Sequence, residues 1–174
     1  MAATCTSHCE SAHSFSSLRA RQQALSVQLQ VVPEDPVTGL TDTAILESHL
    51  RRLRHAPLLL GSFSAGSNVT GIAADTRALS AMMHRYGGIS AFDYASAAAS
   101  GCVAMATGVA DAQAHHDVVM LSPHKFAGGP GSCGVLVIKR DVIRESMPHI
   151  CGAQFCLLGG LGWFQACAEG CTAS

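Results

Sequence analysis

The sequence predicts an α/β fold in which helices cover a largely parallel sheet. Short apolar runs typical of buried strands alternate along the chain with amphipathic segments typical of helices, and loops containing Gly or Pro separate them. Hydrophobic residues make up 48% of the 174 residues and charged residues only 13%. This composition excludes an intrinsically disordered chain, and the length suggests a single domain.

The first predicted element is a strand over the β-prone run Val27–Val32, which ends at Pro33. We expect Thr41 to cap the helix that comes next. The apolar residues of this segment recur at the spacing of one buried helix face: Ile45, Leu46, Leu50 and Leu53. Leu58–Phe63 then reads as a buried strand.

The second half of the pattern begins at Asp75, which we expect to start another helix that ends at Gly87. Three further strands are predicted at Ile89–Phe92, Asp117–Leu121 and Cys133–Ile138. Two histidines, His115 and His116, precede the second of these strands, and we expect them to be solvated loop residues rather than metal ligands.

Three polar loops come directly after predicted strands: Ser64–Gly71, Asp93–Ala95 and Ser122–Lys125. In parallel α/β sheets, ligands bind at the carboxyl ends of the strands. The sequence therefore predicts a ligand site built from these three segments.

The residues of these loops offer specific chemistry. Lys125 is either a surface lysine or, at an apolar strand end, a nucleophilic amine. Asp93 is either a turn former or a carboxylate that pairs with a ligand cation. Asn68 and Thr70 serve either as turn residues or as ligands of a phosphate or a phenolic oxygen. A phosphate-binding P-loop is excluded, because Lys125 precedes the glycines instead of following them.

Taken together and in order, the motifs resemble the class V aminotransferases, the cysteine-desulfurase-like branch of the fold-type I enzymes that use pyridoxal 5'-phosphate (PLP). The resemblance covers about Val27 to Ile143. The motifs that carry it are Ser62–Gly71 (SFSAGSNVTG), His84–Gly87 (HRYG), Phe92–Ala95 (FDYA), Ser122–Phe126 (SPHKF) and Gly128–Gly131 (GGPG).

The resemblance implies a three-layer α/β sandwich with a mainly parallel mixed sheet, the large domain of a PLP-dependent transferase. It implies that Lys125 holds PLP as a Schiff base and shuttles a proton, and that Asp93 pairs with the pyridinium nitrogen. His124 and Ser122 occupy positions at which the family contacts the cofactor phosphate.

Two further positions receive roles from the resemblance. Asn68 lies where the family hydrogen-bonds the phenolic oxygen or the substrate carboxylate, and Ala95 would pack beneath the ring. One position departs from the desulfurase pattern, since Ser96 stands where those enzymes usually carry Gln.

Composition and patterning divide the chain into a weakly patterned segment 1–26, a middle zone 27–145 that the resemblance identifies as a partial large domain, and a Gly/Cys-rich tail 146–174. The upstream phosphate loop, the ring-stacking residue and the C-terminal small domain of the family have no match. We therefore expect a fragment of a longer fold, and the substrate stays open among amino acids of the transaminase, desulfurase, selenocysteine lyase and epimerase reactions.

Charge, hydropathy and N-terminal composition bear on the partners and the cellular location of the protein. The net charge of −1 and the lack of an 18-residue apolar run argue against nucleic acid and membrane as partners. The resemblance implies a homodimer. A cytoplasmic location is favoured over organellar import, of which Ser11–Arg21 carries a weak compositional sign.

Two alternative functions belong to other classes. One is a non-catalytic remnant of the fold that binds PLP weakly or not at all. The other is a small zinc module built from the terminal cysteine clusters, against which the irregular spacing argues. These clusters are Cys5, His8, Cys9 and His13 at one end and Cys151, Cys156, Cys167 and Cys171 at the other.

Overall fold

The structure is a computed structural model that describes residues 28–101, 103 and 113–143, together with the backbone of three strands at 2–6, 155–160 and 163–168. Eight strands form one sheet: β1 Ala2–Thr6, β2 Gln28–Val32, β3 Leu59–Ser64, β4 Ile89–Asp93, β5 Val118–Leu121, β6 Val135–Lys139, β7 Phe155–Gly160 and β8 Trp163–Ala168. Two α-helices are α1 Thr43–Leu53 and α2 Thr76–Arg85, and two short 3₁₀ turns cover Pro123–Lys125 and Arg140–Val142.

The strand order is β2-β1-β3-β4-β5-β6-β8-β7. The strands from β2 to β5 pair in parallel, whereas β6, β8 and β7 pair antiparallel to their neighbours. A mainly parallel mixed sheet with helices packed on it is the predicted fold class, which is therefore confirmed.

The helices pack on the sheet around one apolar core. Helix α1 contributes Leu46 and Leu50, helix α2 contributes Met83, and the sheet contributes Phe63 and Phe92, all of which are at most 1% exposed. The rings of Phe63 and Phe92 lie side by side on β3 and β4, with centroids 5.5 Å apart. Within the described residues, no helix is long and apolar enough to cross a lipid bilayer.

Helix α1 begins one residue later than the sequence predicts. Thr41 is extended and bridges Glu34, so it stands outside the helix. Asp42 is the N-cap instead, because its carboxylate accepts hydrogen bonds from the N–H groups of Ala44 and Ile45. Asp75 caps α2, as predicted, by accepting from the Ala78 N–H.

Three strands lie in segments for which the sequence predicted no structure. Strand β1 inserts between β2 and β3, although its residues AATCT are too short and too weakly apolar to be read as a strand. Strands β7 and β8 form an antiparallel pair within the Gly/Cys-rich tail and extend the sheet beyond β6. His8, Cys9, His13, Cys151 and Cys171 lie outside the described residues.

Gly61 in the middle of β3 is packed tightly against the core. A Cβ atom at this position would lie 2.5 Å from the Phe63 ring and 2.8 Å from the Met83 sulfur. Replacing Gly61 by Ala should therefore lower the free energy of unfolding by about 1–3 kcal/mol, the range for an overpacked core, in urea denaturation.

The matched control is Ser62→Ala, a half-buried neighbour whose side chain points to the other face of β3. It should change the stability by less than about 0.5 kcal/mol. Equal stabilities for the two variants would contradict the packing of β3 against α2.

Candidate functional site

The carboxyl ends of three neighbouring parallel strands lie level at one edge of the sheet. The register pairs Ser64 of β3 with Asp93 of β4, and Asp93 with Met120 of β5. The loop after each strand therefore starts at this carboxyl edge. All of the candidate residues identified from the sequence belong to these loops or to the strand ends that precede them.

Lys125 lies in a short turn that follows β5. Its backbone N–H donates to the Ser122 carbonyl at 3.0 Å, and the Phe126 N–H donates to the Pro123 carbonyl at 2.9 Å. These bonds close a 3₁₀ turn that holds the backbone of Lys125 at the strand end. The side chains of His124 and Lys125 are exposed, and Ser122 is half-buried.

The glycine-rich loop folds back onto this lysine turn. A Cβ atom at Gly129 would lie 2.0 Å from the Pro123 carbonyl oxygen, so only glycine allows the two segments to approach this closely. The loop returns the chain into β6, which pairs antiparallel with β5 from Leu121 opposite Val135. This hairpin geometry keeps the lysine turn at the carboxyl edge.

Asp93 is the last residue of β4 and is half-buried. Its carboxylate oxygen Oδ1 accepts a hydrogen bond of 2.7 Å from the Ala95 N–H, which fixes the orientation of the side chain. Its carbonyl accepts from the Ala65 N–H at 2.9 Å. Asp93 is thereby tied both to the loop after β3 and to its own following turn.

The loop after β3 is ordered by side-chain hydrogen bonds. The Ser67 hydroxyl oxygen accepts from the N–H groups of Val69 and Thr70 at 3.2 and 3.1 Å. This turn presents Asn68 and Thr70 as exposed residues. The Gly66 carbonyl accepts from the Ser96 hydroxyl at 2.8 Å, so the residue at the usual Gln position joins this loop to the segment after Asp93.

A cleft of about 320 Å³ opens beside these loops at the carboxyl edge. Its walls include Ser67 from the first loop, Ser96 and Tyr94 from the second, and Thr76 at the start of α2. Hydroxyl groups therefore share the wall of the cleft with small apolar side chains, and Asp93 itself lies outside its lining.

A chain of buried polar groups starts at this cleft. The Tyr94 hydroxyl lies 3.2 Å from the Thr76 hydroxyl and 2.9 Å from His116 Nε2, while His116 Nδ1 lies 3.3 Å from the Ser80 hydroxyl. His116 is only 2% exposed, so the expectation of a solvated histidine is wrong. Burial lowers the pKa of His116 and raises the pKa of Tyr94.

Within this hydrogen-bond chain, every group donates toward Asp117. The Ser90 hydroxyl donates to the Asp117 carboxylate, and the Ser80 hydroxyl donates to Ser90. Ser80 must then accept from His116 Nδ1–H, which leaves Nε2 to accept from Tyr94. The neutral imidazole thus links the carboxyl-edge cleft to Asp117 at the opposite, amino edge.

Asp117 is the charged residue at which this hydrogen-bond chain ends. Its Oδ2 accepts from His84 Nε2 at 2.7 Å and from the Ser90 N–H at 2.8 Å. Burial alone would raise the pKa of Asp117, but the hydrogen bonds from His84 and Ser90 outweigh it and hold the pKa at about 2. The same bond from His84 to Asp117 raises the pKa of His84 against the opposing effect of burial.

Sequence reasoning assigned no role to His84 or Asp117, although both lie in or beside predicted elements. His84 is the first residue of the quoted HRYG motif, and Asp117 precedes an apolar strand. The position of Asp117 directly before a buried strand was the only sequence signal of its role, because a carboxylate there must find a partner when the strand is buried. The partner lies 33 residues earlier in the chain and is set by tertiary packing.

Comparisons with known proteins identify a family for this chain. The family model described as aminotransferase class-V matches residues 6–157, which extends beyond the region that carries the sequence motifs at both ends. Comparison with curated protein sequences finds no match.

Solved structures share the fold. A NifS-like protein from Rickettsia africae ESF-5 superposes with a TM-score of 0.65 at 18% identity, over 87% of this chain and 37% of that one. A cysteine desulfurase from Thermococcus onnurineus NA1 gives 0.66 at 20% identity, over 88% and 35%. The cysteine desulfurase CsdA from Escherichia coli gives 0.65 at 22% identity, over 96% and 39%. The chain thus spans little more than a third of the length of these proteins.

The buried pair formed by Asp117 and His84 generates a stability prediction. Replacing Asp117 by Asn removes the charged partner of His84 and should lower the free energy of unfolding at pH 7 by about 3 kcal/mol, measured by urea denaturation. Asp141→Asn is the matched control, because Asp141 is exposed at the same edge. The account of this pair would be contradicted by an Asp117→Asn protein as stable as the control.

Proposed function

Because the chain belongs to the aminotransferase class-V family, we propose that it carries the PLP-anchoring part of such an enzyme, with Lys125 as the covalent anchor of the cofactor. The observation that carries this proposal is the register that sets the ends of β3, β4 and β5 level. It brings the segments of Asp93 and Lys125 to one edge of the sheet, the edge at which the cleft lined by Ser67, Tyr94 and Ser96 also opens.

The residues at this edge fit the chemistry of PLP. The cofactor needs an amine for its aldehyde, an anion for its ring nitrogen and donors for its phosphate. The chain offers the exposed Lys125, the oriented carboxylate of Asp93, and the exposed polar groups of His124, Asn68 and Thr70.

Asp93 is proposed as the partner of the pyridine nitrogen. The bond from the Ala95 N–H holds its carboxylate at the strand end, so the anion is oriented before the cofactor binds. A carboxylate in this role keeps the ring nitrogen protonated. When bound, the cofactor supplies an electron sink for negative charge at the substrate Cα. Ala95 follows in the turn, where its small side chain leaves room for the ring.

Lys125 is proposed to act twice, first as the anchor and then, once the substrate amine has replaced it, as the group that holds the Cα proton. The 3₁₀ turn restrains its backbone, while the exposed side chain keeps the freedom that both roles need. Ser122 and His124 flank it in the same turn and are proposed to hold the phosphate, whereas Asn68, in the same loop as Thr70, is proposed to hydrogen-bond the phenolic oxygen or the substrate carboxylate.

The substrate class that follows from this proposal is an amino acid, and the reaction is a transferase or lyase reaction of the class-V type. A homodimer is proposed as the working assembly. Both statements concern the whole enzyme, since the chain spans 35% to 39% of the length of the desulfurases that it resembles. A chain that keeps the fold but has lost the cofactor is the competing outcome.

The proposal can be tested by the visible absorbance of the purified chain after addition of PLP and desalting. The chain has only two lysines, Lys125 and Lys139, and Lys139 belongs to the amino edge, where its side chain lies 3.9 Å from Asp117. Lys125→Ala should abolish the retained lysine-bound band, whereas Lys139→Arg should keep it.

Circular dichroism of each variant establishes that it is folded. A band of equal height in wild type and Lys125→Ala would assign the anchor elsewhere. A folded wild-type chain that retains no cofactor at all would favour the alternative, a non-catalytic remnant of the fold.

A second prediction concerns the contact between the glycine loop and the lysine turn. Gly129→Ala places a methyl group against the Pro123 carbonyl oxygen and must displace the turn that carries Lys125. We expect retention of PLP to fall at least about tenfold, since small misplacements of a reacting group have large effects.

Gly134→Ala is the matched control, because the nearest atom to a Cβ there is 3.8 Å away, at the Leu121 carbonyl oxygen. Equal retention of PLP by the Gly129→Ala and Gly134→Ala proteins would contradict the role of this contact.

A further inference from the structure

Three metal-ligating side chains converge at the amino edge of the sheet, on the opposite side from Lys125. His84 comes from the end of α2, whereas His115 and Asp117 come from the segment before β5. One ligand atom from each lies within 4.8 Å of the other two. From this convergence we propose that the chain binds a divalent transition-metal ion of the Zn²⁺ class through His84, His115 and Asp117.

The distances already approach those of a coordination sphere. His115 Nε2 lies 3.2 Å from Asp117 Oδ1, whereas His84 Nε2 bonds the other carboxylate oxygen, Oδ2, at 2.7 Å, and the ligand atoms of the three residues lie within 4.8 Å of one another. Ligand atoms around a tetrahedral zinc ion are about 3.3 Å apart, given metal–ligand bonds near 2.0 Å. The rings of His84 and His115 stack with centroids 4.2 Å apart, so admitting the ion requires them to turn until both Nε2 atoms point at it.

The orientation of His84 suits a metal ligand. Its Nδ1 donates to the Gln113 carbonyl, so Nε2 is the nitrogen that faces the cluster. A carbonyl on the distal nitrogen is the usual arrangement that fixes the tautomer of a ligating histidine. Asp117 is held in the same manner, since the Ser90 N–H and hydroxyl both donate to its Oδ2. Its Oδ1 then faces His115.

The choice of ion follows from the donors. Two imidazole nitrogens and one carboxylate oxygen suit Zn²⁺, Co²⁺ or Ni²⁺ better than Ca²⁺ or Mg²⁺, which prefer oxygen. Three protein ligands leave a fourth position for water. A cleft of about 610 Å³, lined by His115, Asp117 and Lys139, gives solvent access to that position.

Lys139 is the competing cation at this site. Its amino group lies 3.9 Å from Asp117 Oδ1, the oxygen proposed to bind the ion. An incoming ion must displace or repel this charge, so Lys139 weakens binding. The proposal therefore predicts variants with opposite effects, which a purely structural ion pair does not.

The test is titration of the full chain with Co²⁺, followed by visible d–d absorbance. Binding at the cluster should give a nitrogen- and oxygen-ligated spectrum without the thiolate charge-transfer band that cysteine coordination would add. His115→Ala should weaken this binding at least about tenfold, by loss of one of three ligands. Lys139→Gln should strengthen it severalfold, and the exposed His55→Ala should leave it unchanged.

His115 is only half-buried, so its replacement should preserve the fold, which circular dichroism verifies. Absence of a d–d spectrum in the wild-type chain would overturn the proposal, as would a spectrum unaffected by His115→Ala or one dominated by thiolate ligation. Because no step involves PLP or Lys125, failure here is distinguishable from failure of the proposed function.

Discussion

The level register of β3, β4 and β5 is the constraint on which the rest of the account depends. Parallel pairing sets Ser64, Asp93 and Met120 side by side, so every following loop leaves the sheet at one edge. A shift of one residue would turn the side chain of Asp93 to the other face of the sheet. The buried side chains of Phe63 and Phe92 oppose such a shift, because it would move them out of the core.

A second constraint runs through that core. The layer between α2 and the sheet holds a directed hydrogen-bond chain from Tyr94 through His116, Ser80 and Ser90 to Asp117. Each member is satisfied by the next, which is the condition under which buried polar groups are tolerated. This hydrogen-bond chain joins the carboxyl-edge cleft to the amino-edge cluster. The two edges of the sheet are therefore linked by polar groups as well as by the apolar core.

Much of this fold could be read from the sequence. The amphipathic spacing of Leu46 and Leu50, the cap at Asp75 and the apolar runs of β3 to β6 identify their elements by local signals. Strand β1 could not be predicted, because its five residues gain their structure from pairing with β2 and β3. The same limit explains Thr41, whose bridge to Glu34 moves the cap to Asp42.

The candidate site likewise contains residues that the sequence could identify and residues that it could not. Asp93 and Lys125 could be identified because each follows a strand, and the strand ends of a parallel sheet meet. The partners of His84, His115 and His116 could not, since each lies across a tertiary contact that spacing does not encode. The two histidines expected to be solvated are therefore parts of a buried network, in the case of His116, and of an edge cluster, in the case of His115.

The most direct measurement of the central claim is chemical trapping of the cofactor. The wild-type chain would be incubated with PLP and reduced with borohydride, and its peptides mapped by mass spectrometry. Since the sequence contains only Lys125 and Lys139, the outcome is a choice between two sites and the chain terminus. The account predicts a pyridoxyl group on Lys125. Labelling of Lys139 or of the terminal amine in its place, or of Lys125 and Lys139 equally, would contradict it.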